Sequence, residues 1–265
     1  MIIVLTLGRS GSSMLMQTMQ RLGMTVVGRQ FDAKGDAQSQ KAHETLNPKG
    51  YFENPDIYYC GPSSMAFQSL LEKGRADIAC KMDVRHFVEE RQFPFWIDAA
   101  ADISSILLSY RLPSEQAHSE FLSGVDAVQQ KEAASKFTFV TRFLRDYVET
   151  YGAVDPLLGS DLQPLASKLD YVAYSEAKRP EVYARRICSI LGLQPTPEQM
   201  ASAIGNISPE LFRVEDRALS EEERSWASQL GASAIYSQME NSRAVKMAPR
   251  SRACLSGEIG MAKTG

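Results

Sequence analysis

The opening of the chain constrains its fold more than any other segment. Residues 1–7, MIIVLTL, form an apolar run rich in β-branched residues and bounded by Gly8. A short run of this kind reads as a strand buried on both faces, as strands of parallel sheets are. The turn Gly8-Arg9-Ser10-Gly11-Ser12-Ser13 follows at once. A helical pattern comes next, with Leu15, Met19 and Leu22 at i, i+4 and i+7 and Gly23 closing it. Residues 24–27 read as a second short strand. Strand, glycine-rich turn, helix and strand open an α/β fold with a central parallel sheet flanked by helices.

The rest of the chain is consistent with that class. Residues 28–53 are polar and turn-rich and end in NPKGYFEN, a loop long enough to carry function. A helix is predicted over 54–74, strands over 77–80 and 94–97, and a helix over 103–110 stopped by Pro113. Residues 114–168 read as a helical insertion, with 114–151 in two segments around Ser135. YVAY (171–174) reads as a strand. The helix after it has Pro180 in its first turn, Tyr183, Ile187, Ile190 and Leu191 on its apolar side, and Gly192 at its end. A final helix is predicted over 220–239, opened by Ser220 and acidic residues. Residues 1–242 are thus expected to form one domain. Residues 243–265 are expected to be a mobile polar tail carrying Arg243, Lys246, Arg250, Arg252 and Lys263 against Glu258.

Composition narrows the function classes. The net charge of −3 over 265 residues lacks the basic excess of a dedicated nucleic-acid binder. Cys60, Cys80, Cys188 and Cys254 form no CxxC pair and no zinc spacing with histidine, so no metal site is expected and the thiols read as reduced and mostly buried. No apolar run approaches the roughly 20 residues of a membrane span. The N-terminus has no basic leader. A soluble, cytoplasmic protein is expected.

The turn at 8–13 has the parts of an anion site. Gly8 and Gly11 let backbone approach a phosphate, and the following helix offers N–H groups and the positive end of its dipole. Ser10, Ser12 and Ser13 add hydroxyls, and Arg9 adds a fixed charge. A Walker loop requires lysine after its second glycine, whereas Ser12 follows Gly11 and the cation precedes it. That disfavours an ATP-dependent P-loop kinase, which remains the alternative enzyme class.

The segment TLGRSGSSM resembles the 5′-phosphosulfate loop of sulfotransferases that use 3′-phosphoadenosine 5′-phosphosulfate (PAPS) and release 3′-phosphoadenosine 5′-phosphate (PAP). NPKGYFEN (47–54), CKMDVRHF (80–87) and LDYVAYSEAKRPEVYARRICSILGL (169–193) are similar, in order, to segments of bacterial sulfotransferase-like proteins. The resemblance implies a P-loop-like sulfotransferase fold and sulfuryl transfer to a hydroxyl or amine of a small-molecule acceptor. It implies that Arg9 and Lys81 supply charge without a metal, and that Gly8, Arg9, Ser10, Gly11, Ser12 and Ser13 hold the 5′-phosphate end. The family also carries an Arg-x-Pro-like turn before a helix and a serine eight residues after the arginine, both on the 3′-phosphate. Set against that pattern, Ser109 is the serine, Ala101 stands where the arginine is expected, and Arg111 is the compensating cation. On this basis a non-catalytic relative with a degenerate 3′-phosphate site is a further alternative.

Sulfuryl transfer also needs a base for the acceptor proton. The candidates are Glu53, at the end of the long loop, Asp83, two residues after Lys81 on an extended segment, and His86. Their structural alternatives are a helix cap, an ion pair with Lys81 or Arg85, and a core histidine. His43 and His118 read as surface residues and Lys49 as a solvated loop lysine, while Trp96, Phe93 and Phe95 read as strand core. Met14 and Met16 are candidates to line an acceptor pocket.

Overall fold

The computed structural model describes residues 1–28, 52–123, 136–207 and 221–247. Strand β1 (Ile2–Thr6) leads into helix α1 (Ser12–Arg21) and β2 (Thr25–Val27). After residue 52 come α2 (Pro55–Tyr58), α3 (Met65–Glu72), β3 (Ile78–Asp83), α4 (Arg85–Val88) and α5 (Phe93–Asp98). Then follow β4 (Ser105–Tyr110), α6 (Pro113–Ser123), α7 (Lys136–Leu158) and β5 (Leu169–Ala173). The chain continues through α8 (Pro180–Leu191), α9 (Pro197–Asn206), α10 (Glu221–Gln229) and α11 (Ala232–Met247).

The five strands make one sheet in the order β2-β3-β1-β4-β5, and each neighbouring pair is parallel. This bears out the α/β class. Side chains alternate between the sheet's faces, so β1 serves two cores. Ile2 and Val4 pack with Ala79, Leu107 and Val172 under the Met14–Met19 face of α1 and under Tyr183 and Ile187 of α8. Ile3 and Leu5 pack with Cys80, Met82, Ile106 and Leu108 against Trp96, Leu144, Tyr147 and Met239 on the other face. The connection leaving β1 turns toward the β2 edge, and that leaving β4 turns toward the β5 edge. Such a reversal opens a crevice at the carboxyl ends of the two strands, the usual place for a ligand in an open α/β sheet.

Several local expectations differ from the structure. Residues 105–110 form the strand β4 rather than a helix, paired on one side with β1 and on the other with β5. A fully buried strand is as uniformly apolar as a buried helix turn, so its period does not identify it. Pro113 then opens α6 instead of ending a helix, as a proline at the first turn can. PFWI belongs to the short helix α5, whose Pro94 suits a first helical turn and cannot donate to a sheet ladder. The helix expected over 54–74 is broken by Gly61, at φ 70°, and Pro62. Likewise Gly231, at φ 79°, divides the last helical region, and residues 243–247 continue α11 rather than starting the polar tail. Residues 248–265, Ser135 and most of the 28–53 loop lie outside the described residues. Among the described residues, no helix is long and apolar enough to cross a membrane. Cys80 and Cys188 are buried free thiols, and burial pushes Cys80 up to about 12, whereas Cys60 is exposed rather than buried.

Two consequences are measurable. Trp96 is fully buried, edge-on to Phe67 and Phe87, and its indole N–H donates to the His86 carbonyl at 2.9 Å. Trp96→Ala should therefore cost about 3–5 kcal/mol in urea unfolding. Burial also raises the phenol pKa of Tyr58, Tyr110, Tyr147, Tyr151, Tyr171 and Tyr183. Below the ordinary tyrosine value of about 10 these phenols are neutral in both states; above it only the unfolded chain ionises. Stability should therefore fall with rising pH above about 10, by up to roughly 1.4 kcal/mol per pH unit for each phenol. Urea titrations from pH 8 to 11 would measure the slope.

Candidate functional site

The loop after β1 stands at the mouth of the crevice. Arg9 and Gly11 both take left-handed backbone conformations, with φ 64° and 89°. Gly11 is the N-cap of α1, and no side chain caps it. The first-turn N–H groups of α1 have no intrahelical acceptor, and the positive end of its dipole faces the loop. Gly11 is required for a second reason: a Cβ there would fall 2.2 Å from Cδ2 of Tyr174. The ring of Tyr174 is thus packed directly on the loop.

A network of neutral groups supports the loop from below. The Ser10 hydroxyl lies 2.5 Å from that of Thr6 and 3.2 Å from that of Ser109. Ser109 in turn donates to the Ser10 carbonyl at 3.2 Å. Gln116 on α6 donates to the carbonyls of Leu7 and Gly8 at 3.1 and 2.7 Å. Tyr151 on α7 accepts from the Leu7 N–H at 3.2 Å and donates to the Ser109 carbonyl at 2.9 Å. Ser10 and Ser109, both expected at the ligand, therefore spend their hydroxyls on the floor of the loop.

Three cations surround it. Lys81, on β3, is 2% exposed and pairs with Glu53 at 2.7 Å. Its ammonium lies 3.4 Å from the Ser13 hydroxyl and 5.6 Å from the centre of the Tyr58 ring. Burial lowers its pKa, and the Glu53 carboxylate opposes that shift. Glu53 reaches this place because Gly28, at φ 136°, lets the backbone of Phe52 and Glu53 pass close by; a Cβ on Gly28 would sit 2.6 Å from the Phe52 carbonyl. Arg9 donates through Nε to the Ser119 hydroxyl of α6 at 3.2 Å. Arg111, just past β4 and 6% exposed, lies 4.3 Å over the Tyr174 ring and donates to Glu115 at 3.0 Å.

The other candidates fall elsewhere. Asp83 is in register with Thr6, but Arg85 binds both its oxygens, through Nε at 3.0 Å and Nη2 at 2.6 Å. His86 faces the Tyr58 carbonyl at 3.2 Å and Glu89 at 3.4 Å. Both line a cavity of about 470 Å³ with Tyr58, Tyr59, Arg85, Val88 and Glu89. Met14 and Met16 are buried beneath α1, and His118 is buried on α6 rather than at the surface. Ser12 is buried in the first turn of α1. His43 and Lys49 lie outside the described residues. Among the described residues, no group of three or more His, Cys, Asp or Glu is arranged to hold a metal.

Ser119, which sequence reasoning did not single out, is the residue that Arg9 meets. Arg111-Leu112-Pro113 is itself an Arg-x-Pro turn between a strand and a helix, and Ser119 stands eight residues after the arginine. The frame based on Ala101 and Ser109 is displaced from this one by ten residues. Ala101 lies in a 3₁₀ turn ahead of β4, away from the strand ends that form the crevice. Reading 103–110 as a helix made Pro113 a stop, whereas it opens α6 directly after β4.

Compared with known proteins, the sequence matches no protein-family model and no curated protein.

The loop's tightest constraint can be measured. Gly74 also has a positive φ, 59°, but nothing lies within 4 Å of a Cβ placed there. Gly11→Ala should destabilise the protein by about 1–3 kcal/mol more than Gly74→Ala, the cost of overpacking against Tyr174. Chemical denaturation of the two variants gives the difference.

Proposed function

We propose that the protein is a sulfotransferase that moves a sulfuryl group from PAPS to a hydroxyl or amine of a small metabolite. The Arg9–Ser119 contact carries this reading, because it joins the anion loop to the helix that follows the Arg-x-Pro turn. A donor with phosphates at both ends of an adenosine needs two anion sites on one crevice. The uncapped α1 N-terminus with Lys81 suits one, and Arg111 with Ser119 suits the other. The residues present therefore fit PAPS. The alternatives lose support: a phosphotransferase would need lysine where Ser12 stands, and the degenerate-site reading rested on Ala101. The free thiols of Cys60, Cys80 and Cys188 suit a reducing, cytoplasmic setting.

PAPS, when bound, supplies a sulfuryl group whose bond to the 5′-phosphate oxygen breaks as the acceptor oxygen or nitrogen bonds to sulfur. Lys81 and Arg9 stabilise the negative charge that develops on the leaving phosphate, and low local exposure strengthens the effect of Lys81. Glu53 takes the acceptor proton. It is the preferred base because Asp83 is held on both oxygens by Arg85, whereas Glu53 is partly exposed beside the loop. Its ion pair with Lys81 at 2.7 Å holds the carboxylate beside the loop.

Thermal unfolding with PAP, adenosine 5′-phosphate, and ATP with magnesium tests the reading. PAP at about 100 times its dissociation constant should add roughly 2.7 kcal/mol, a rise of about 5–11 °C at about 2–4 °C per kcal/mol for a chain of this size. Arg111→Ala and Ser119→Ala should weaken PAP and leave adenosine 5′-phosphate unchanged, since only PAP carries the 3′-phosphate. A rise with ATP and magnesium but none with PAP would overturn the proposal. Once an acceptor is found, Glu53→Gln should lower kcat by about 10²–10⁴-fold with little change in PAP affinity.

A further inference from the structure

Helix α11 forms a charge network that reaches the crevice through residues given no role above. Arg243 pairs with Glu176 at 2.5 Å and with Glu240 on its own helix. Glu240 accepts from the Tyr110 hydroxyl at 2.6 Å, and Tyr236 meets the Tyr110 ring edge-on at 5.7 Å. The second oxygen of Glu176 faces Arg186 of α8 at 3.1 Å, and Arg186 also donates to the Tyr171 carbonyl of β5 at 2.7 Å. Glu176 is 7% exposed, and Arg186 8%.

Both ends of this network lie next to the anion site. Tyr110 is the last residue of β4, and the next residue is Arg111. Glu176 lies two residues after Tyr174, in the turn that leaves β5. Arg111 and Tyr174 then meet each other, and Tyr174 rests on Gly11. The contacts close a ring from α11 through the ends of β4 and β5 to the phosphate loop. We infer that α11 braces the anion crevice, with Arg243 as a positioning residue that holds Arg111 and Tyr174 against the loop. The effect on donor binding rests on the sulfotransferase reading; the effect on the loop itself does not.

Lys246 provides the control. It holds the same helix to the carbonyls of Leu169 and Ala166, at the opposite end of β5 from the crevice. Hydrogen exchange and PAP binding would be measured on the full chain, on Arg243→Met and on Lys246→Met. Glu240→Gln, which keeps the side chain's shape, serves if Arg243→Met does not fold. In Arg243→Met or Glu240→Gln, amides of residues 8–15 and 105–111 should exchange about tenfold faster, as expected for the loss of one charged hydrogen bond. PAP should bind about tenfold more weakly, through loss of positioning. Lys246→Met should lower the melting temperature without either change. Faster exchange in the loop with no PAP binding by the unaltered chain would uphold the brace and remove the donor reading. Unchanged loop exchange in Arg243→Met or Glu240→Gln, or equal acceleration in Lys246→Met, would overturn the brace.

Discussion

Where β1 and β4 part company, the sheet's hydrogen-bond ladder ends inside the protein, and everything at the crevice depends on how that end is satisfied. Buried backbone groups need partners. Here Tyr151 takes the Leu7 N–H and the Ser109 carbonyl at once, while Gln116 takes the carbonyls of Leu7 and Gly8. Ser10 and Ser109 close the remaining gap hydroxyl to hydroxyl. These contacts are neutral, so the loop is held without consuming the cations around it. The loop is thereby held in a fixed shape.

The cations are arranged on the same logic. Lys81 is almost inaccessible, and a buried ammonium persists only with a close counter-charge, which Glu53 provides. Arg111 is stacked on an aromatic ring and bound by a carboxylate, which holds its guanidinium in one plane. Both charges are in place before a ligand arrives. Each is matched by an acid in the crevice, Glu53 for Lys81 and Glu115 for Arg111.

Much of this was legible from residues close together in the chain. β1, its loop, α1 and the glycine stop after it follow from apolar runs, helical spacing and turn chemistry over fewer than thirty residues, and the α8 helix with Pro180 and Gly192 follows in the same way. One misreading comes from a local ambiguity. ISSILLSY is apolar enough for a buried helix or a buried strand, and only its pairing with β1 and β5 decides between them. Reading that segment as a helix also made Pro113 a stop, whereas it opens α6. Arg243 was misjudged for a related reason: the polar residues of α11 are turned toward partners on other elements, so the local pattern resembles a solvated segment.

Local sequence determined the class of the fold and the shape of the glycine-rich loop, because a turn's backbone conformation and a helix's free N–H groups are set by residues within a few positions of one another. Tertiary structure alone decided what surrounds that loop. Lys81 meets Glu53 across 28 residues, Arg9 meets Ser119 across 110 and Arg243 meets Glu176 across 67. No periodicity or propensity encodes such pairs. They arise when crossovers bring the carboxyl ends of β3, β1, β4 and β5 to one edge of a sheet, and burial there makes each charge find its opposite.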